Sequence, residues 1–96
     1  MTAFLVVDTK IENPEAYEEY KTKARPIIEK FGGKYRARGG AFEIIEGDLW
    51  RPTRLVLIEF PNREQAKKAI ESEEYRAVAP LRHSNARSTL VILEGI

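Results

Sequence analysis

Ninety-six residues with 43% hydrophobic and 32% charged side chains fit one folded domain over 1–96, not a disordered chain or two domains. Zero cysteines exclude a disulfide scaffold, a thiolate metal site and a cysteine nucleophile, and the single histidine leaves no cluster for a metal. Sixteen basic against fifteen acidic side chains give a net +1, too weak a field to draw nucleic acid or an anionic membrane.

Residues 3–11, Ala-Phe-Leu-Val-Val-Asp-Thr-Lys-Ile, are rich in β-branched and aromatic types and apolar on both faces, the pattern of a strand covered on both sides. Asn13, Pro14 and Glu15 then supply an N-cap, a proline at the first helical position and an acid in the first turn. Tyr17, Tyr20, Ala24, Ile27, Ile28 and Phe31 follow at spacings of three and four, predicting a helix over 14–31. Pro26 should kink it or cost a hydrogen bond, and Gly32-Gly33 should end it in a left-handed cap. Tyr35 and Ala37 alternate with basic residues up to Gly39-Gly40, which reads as a bulge or bend before an extended stretch at Phe42–Glu46. A loop with Trp50 and Pro52 precedes an apolar strand over 54–60. Asn62 and Gln65 form a capping box for a helix through Ile70. Ser72 caps a short second helix that Pro80 should either break or extend by another turn to about Ala86, before a closing strand over 89–93. The longest apolar runs are about five residues, far short of a membrane span or a signal-peptide core, so a cytoplasmic protein is expected.

The order β-α-β-β-α-β with right-handed crossovers predicts an α+β, ferredoxin-like fold, a four-stranded antiparallel sheet with its helices on one face. The strands are nevertheless apolar on both faces. Self-association of two sheets is the simplest way to cover the second face, which predicts a homodimer.

Pro14-Glu-Ala-Tyr17 with Tyr20, Gly32-Gly33, Arg38-Gly39-Gly40, Glu46-Gly47-Asp48, Glu59-Phe60-Pro61, Ser72 with Glu74-Tyr75, and Arg82 occur in one order. Together this set resembles the bacterial family labelled domain of unknown function 1330, over about residues 3–95. The resemblance implies a dimeric α/β barrel in which two sheets face each other. It implies no activity, although better-understood members of that superfamily include cofactor-free monooxygenases, muconolactone isomerases and haem-dependent chlorite dismutases.

His83 is the one side chain that titrates near neutrality unperturbed, so it is the first candidate for proton transfer; the plainer reading is a solvated histidine after the Pro80 break. Asp8 shares a strand face with Phe4 and Val6, where it is an acid or base in a cleft, one half of an ion pair with Arg36 or Arg38, or simply beyond the buried part of the strand. Arg38, beside a glycine bend and matching the family's arginine-glycine-glycine motif, is a candidate anion fork; equally, it could neutralise Glu43 or Glu59. Arg82 joins it as a second candidate for holding an anionic group. Tyr17 and Tyr20 on the helical stripe read as core rings with tethered hydroxyls, with Tyr17 kept as a possible substrate contact. Trp50 reads as a lid or a dimer-interface anchor.

No phosphate loop, dinucleotide fingerprint or serine elbow is present, and the strand over 54–60 lacks the aromatics of an RNA-binding sheet. Two readings remain: a cofactor-free enzyme or binding protein for a small organic molecule in a cleft between sheet and helices, needing no metal, or a non-catalytic homodimeric module. A cavity of ~300 Å³ or more would favour the first.

Overall fold

The computed structural model describes residues 1–96 as β1 (Ala3–Ile11), α1 (Pro14–Lys30), β2 (Lys34–Arg38), β3 (Leu55–Phe60), α2 (Arg63–Glu71), α3 (Glu73–Asn85) and β4 (Ala86–Glu94). The sheet order is β2-β3-β1-β4 with every pair antiparallel, the expected ferredoxin-like arrangement. Along β1, Ala3, Leu5, Val7 and Thr9 are buried while Phe4, Val6 and Asp8 are half-covered; along β3, Val56, Ile58 and Phe60 are buried between Leu55, Leu57 and Glu59. This period of two separates a helix-covered face from an open one.

The core joins Leu5, Val7, Val56, Ile58 and Phe60 of the sheet to Ala24 and Ile28 of α1, Ala66 and Ala69 of α2, and Tyr75 and Ala79 of α3. Small alanines on the helices let them approach the sheet's large aliphatics, each of which contributes about 1.5–3 kcal/mol when fully buried.

α1 starts where Asn13 Oδ1 accepts from the Ala16 amide at 3.3 Å. It ends in a Schellman motif: Gly33 N–H donates to the Ile28 carbonyl, Gly32 N–H donates to that of Glu29, and Gly32 sits at φ 91°. The helix runs on through Pro26, and α3 runs on through Pro80. Of the two alternatives at Pro80, a break or a further turn to about Ala86, the structure has the second, with α3 continuous to Asn85. Both prolines are exposed, as are Thr22 and Arg76 four residues earlier, so solvent is on hand for the carbonyls that lack an amide partner. Asn62 caps α2 through the Gln65 amide at 2.8 Å, but the reciprocal half of the expected capping box is missing. Gln65 Nε2 instead donates to the Phe31 carbonyl and ties α2 to the end of α1. Ser72 ends α2 and caps α3, donating to Ala69 O and accepting from Tyr75 N.

Between β2 and β3 the bend expected at the glycines is found at Gly39, the bulge in β2 lies earlier, between Tyr35 and Ala37, and the extended stretch expected at Phe42–Glu46 forms no strand. β2 is an edge strand whose pairing ends at Arg38 opposite Val56, so residues beyond it have no ladder to join. Gly39, at φ 71°, turns the chain out of the sheet while its amide donates to Leu55 O at 2.8 Å.

Candidate functional site

A cleft opens between the covered face of the sheet and the helices. Its floor is aliphatic, built from Leu5, Val7, Val56, Ile58 and Leu90. All four tyrosines of the chain line it: Tyr17 and Tyr20 from α1, Tyr35 from β2 and Tyr75 from α3. Four cations complete the wall, Lys21, Arg38, Arg54 and Arg82. No carboxylate, histidine, serine or amide lines the cleft, so the tyrosine oxygens are its only side-chain acceptors. It is narrow, with a water-accessible volume of about 40 Å³, below the ~300 Å³ typical of ligand pockets.

The polar groups fall into two sets. On one side the Tyr20 and Tyr75 hydroxyls lie 2.6 Å apart, and Arg82 Nε donates to Tyr75 Oη at 3.2 Å. The Tyr20 ring stands edge-on to Tyr75 and tilted against Tyr17, at centroid distances of 6.3 and 5.3 Å. Burial, reinforced by Tyr75, pushes the Tyr20 hydroxyl well above the ordinary tyrosine range, so it stays neutral. On the other side Arg38 stacks over Tyr35 at 5.4 Å, and Arg54 over Tyr17 at 5.6 Å. Burial pushes the Tyr35 hydroxyl up to about 12, against the opposing pull of Arg38. Lys21 is held at 2.9 Å by Glu18, outside the cleft.

Gly39 explains how Arg54 reaches this wall. A Cβ at Gly39 would stand 2.7–2.9 Å from the Arg54 guanidinium. The β2 bulge has a similar effect on Arg38, which pairs with Val56 and so lies on the covered face, while Arg36 reaches Glu59 at 3.0 Å on the open face. The Glu59 partner is therefore Arg36, and Arg38 is left to the cleft.

Of the residues singled out from the sequence, Arg38, Arg82 and Tyr17 meet in the cleft, whereas Asp8, Trp50 and His83 lie outside it. Asp8 is on the open face, where its carboxylate accepts from Trp50 Nε1 at 2.9 Å and from the Thr53 and Arg54 amides at 2.8 and 3.1 Å. Burial alone would raise its pKa, but these hydrogen bonds outweigh that and hold it below the usual value. Neither Arg36 nor Arg38 pairs with it; Asp8 pins the loop over 39–54 and Trp50 with it. His83 lies in the last turn of the continuous α3, exposed, with Nε2 3.2 Å from Arg82 Nη2. Guanidinium only donates, so the ring nitrogen is the acceptor of this contact. Arg54, Tyr35 and Tyr75 were not anticipated as site residues. The one sequence signal for the two tyrosines is that each sits at a position patterned to face inward, and Arg54 has none.

A family model described as domain of unknown function (DUF1330) matches residues 2–96. The chain belongs to this DUF1330 family. No curated protein matches it in sequence. Among solved structures it is similar to a protein of unknown function from Rhodopseudomonas palustris, with TM-score 0.78 at 19% identity over 99% of this chain and 82% of that one. SnoaB, a cofactor-independent oxygenase from Streptomyces nogalater, superposes with TM-score 0.72 at 8% identity over 99% and 93% of the two chains. A dimeric ferredoxin-like protein of unknown function from a Jannaschia species gives TM-score 0.66 at 14% identity over 99% and 100%. At such identities the likeness is one of fold. No helix of this DUF1330 chain is long and apolar enough to cross a membrane.

Proposed function

We propose that this DUF1330 protein is a homodimeric binding protein or cofactor-free enzyme for a small, flat, apolar molecule bearing an anionic or carbonyl oxygen. The observation that carries this reading is the chemistry of the cleft: an aliphatic floor, aromatic walls and an excess of hydrogen-bond donors over acceptors. A ligand that supplies acceptors satisfies those donors, and one that supplies only donors leaves them unpaired at a cost of about 1–3 kcal/mol each. Arg38 and Arg54 each stack on a ring while presenting a planar fork suited to carboxylate or enolate oxygens. The fold shared with a cofactor-independent oxygenase supports the enzymatic form of this reading.

The homodimer is supported by the open face, where Phe4, Val6, Leu55, Leu57, Val91 and Leu93 form a continuous apolar surface. The narrowness of the cleft favours the second reading, a dimeric module without a ligand. A thermal-shift screen of aromatic and alkyl carboxylates and phenols separates the two. Binding in the cleft predicts stabilisation of the wild type that Arg38→Ala and Arg54→Ala lose and His83→Ala keeps. Stabilisation that is equal in all four proteins would place the ligand elsewhere.

A further inference from the structure

Two cations oppose each other at one end of the open face. Lys10 of β1 and Arg87 of β4 are direct cross-strand partners, one row beyond Asp8 and Thr89. Like charges directly opposite destabilise a sheet unless something neutralises them. None of the chain's ion pairs uses either residue. With Asp8, Thr53, Ser88 and Thr89 they line a polar groove of about 320 Å³ that has no apolar residue in its wall. The Asp8 carboxylate in that groove is already occupied by Trp50 and the Thr53 and Arg54 amides.

The loop between β2 and β3 carries the opposite charge at the same end of the sheet, where Arg38 pairs with Val56 and Leu55 with Asp8. Glu43, Glu46 and Asp48 are exposed and enter no ion pair, and Arg51, lying against Gly47, is the one cation among residues 40–53. Those residues make no main-chain hydrogen bond to one another or to the sheet, and Ile45 and Leu49 are 85% and 100% exposed. Long loops without structure of their own in a compact domain usually serve binding.

The rows of the open face decide how a second copy can lie on it. Leu93–Phe4–Glu59, Val91–Val6–Leu57 and Thr89–Asp8–Leu55 follow one another toward the Arg87–Lys10 pair. A two-fold axis along the strands lays each row on its own copy, apolar on apolar. An axis across the strands reverses the ends and turns Phe4 and Leu93 toward the cations. With the axis along the strands, the order β2-β3-β1-β4 runs backwards in the second copy. The β2–β3 loop of one protomer then comes over the β1–β4 end of the other, where the groove lies. Face-packed sheets stand about 10 Å apart, a gap that roughly three extended residues span.

We propose that the loop over 39–54 is a dimerisation arm, and that it docks in the Lys10–Arg87 groove of a second copy of this chain. Glu43, Glu46 and Asp48 of one protomer neutralise Lys10 and Arg87 of the partner subunit, and the two-fold makes the contact twice. This rests on the open-face homodimer and goes further by naming its axis and the charged contact that fixes it.

The test reverses each side separately. One variant carries Glu43→Lys, Glu46→Lys and Asp48→Lys; the other carries Lys10→Glu and Arg87→Glu. All five residues are exposed, so both variants should keep the wild-type far-UV spectrum, and unchanged Trp50 emission shows that Asp8 still pins the loop. Alone, each variant sets like charges against each other and should dimerise about tenfold more weakly than wild type, or worse. Mixed in equal amounts, they restore both contacts, so native mass spectrometry should show the heterodimer well above its statistical share, and salt should erode that excess. If the wild type dimerises but each variant does so equally well, or the mixture gives no excess of heterodimer, the arm is overturned and the open-face dimer stands. If the wild type is a monomer at micromolar concentration, both are overturned.

Discussion

The guanidinium of Arg54 occupies the space that a side chain on Gly39 would need, with Arg54 Nε only 2.7 Å from where a Cβ would stand. Gly39 also sits at φ 71°, a backbone conformation that costs other residues about 1–2 kcal/mol. One residue thus turns the chain out of β2 and leaves room for a cation in the cleft wall. Gly39→Ala should lower stability by about 1–2 kcal/mol and reduce affinity for an anionic cleft ligand about tenfold, by pushing Arg54 off Tyr17. Denaturant titration reads the first effect and calorimetry the second. Unchanged anion affinity in a destabilised variant would mean that the Arg54 position does not matter for binding.

Much of the fold was legible because its signals are local. β1 was expected at 3–11 and is found there, since alternating burial on both faces leaves a continuous apolar run. The caps at Asn13, Asn62 and Ser72 each bond the amide three residues on. The site was harder to read. Tyr20 and Tyr75 meet across 55 residues of chain, and nothing near either announces the other. Asp8 was aligned with Phe4 and Val6 but read as a cleft acid or as paired with an arginine, and it is neither, because its real partners, Trp50, Thr53 and Arg54, come from a loop whose path has no periodic pattern. His83 was chosen for its chemistry alone, and chemistry does not say which way a helix turns it.

Asp8 and the loop make a pH-dependent pair. Three hydrogen bonds to the ionised carboxylate hold its pKa below the ordinary aspartate value of 3.8. A depressed folded-state pKa means the stabilisation is fully present above the unfolded value and is lost as pH falls through the lower, folded one. Trp50 is the only tryptophan and donates directly to Asp8, so its fluorescence reports the event. Acid titration should show a change in Trp50 emission with its midpoint below 3.8, before far-UV circular dichroism is lost. Asp8→Asn should show the released emission already at neutral pH. A midpoint above 3.8 in the wild type would contradict this account of the loop.

The open face supplies the remaining prediction. Leu93, Phe4 and Glu59 form one row across β4, β1 and β3, and Val91, Val6 and Leu57 form the next. Val91 and Leu93 are 52% and 58% exposed in the single chain, too apolar an edge to leave against water beside Phe4 and Val6. Glu59, the charge in these rows, is paired with Arg36 on the same face, which lowers the cost of covering it. Burying the six apolar side chains against a two-fold copy would contribute about 1.5–3 kcal/mol each before association costs, enough for a dimer at micromolar concentration. Light scattering should therefore return about twice the 11.0 kDa chain mass. Val91→Lys with Leu93→Lys puts two unpaired charges into that contact and should weaken it by a hundredfold or more, on the order of 3 kcal/mol. Both residues point away from the helices and the core, so the variant should keep its far-UV spectrum while scattering as a monomer. A wild type that stays at 11.0 kDa, or a folded double variant that still dimerises, would show that the open face is not where two copies meet.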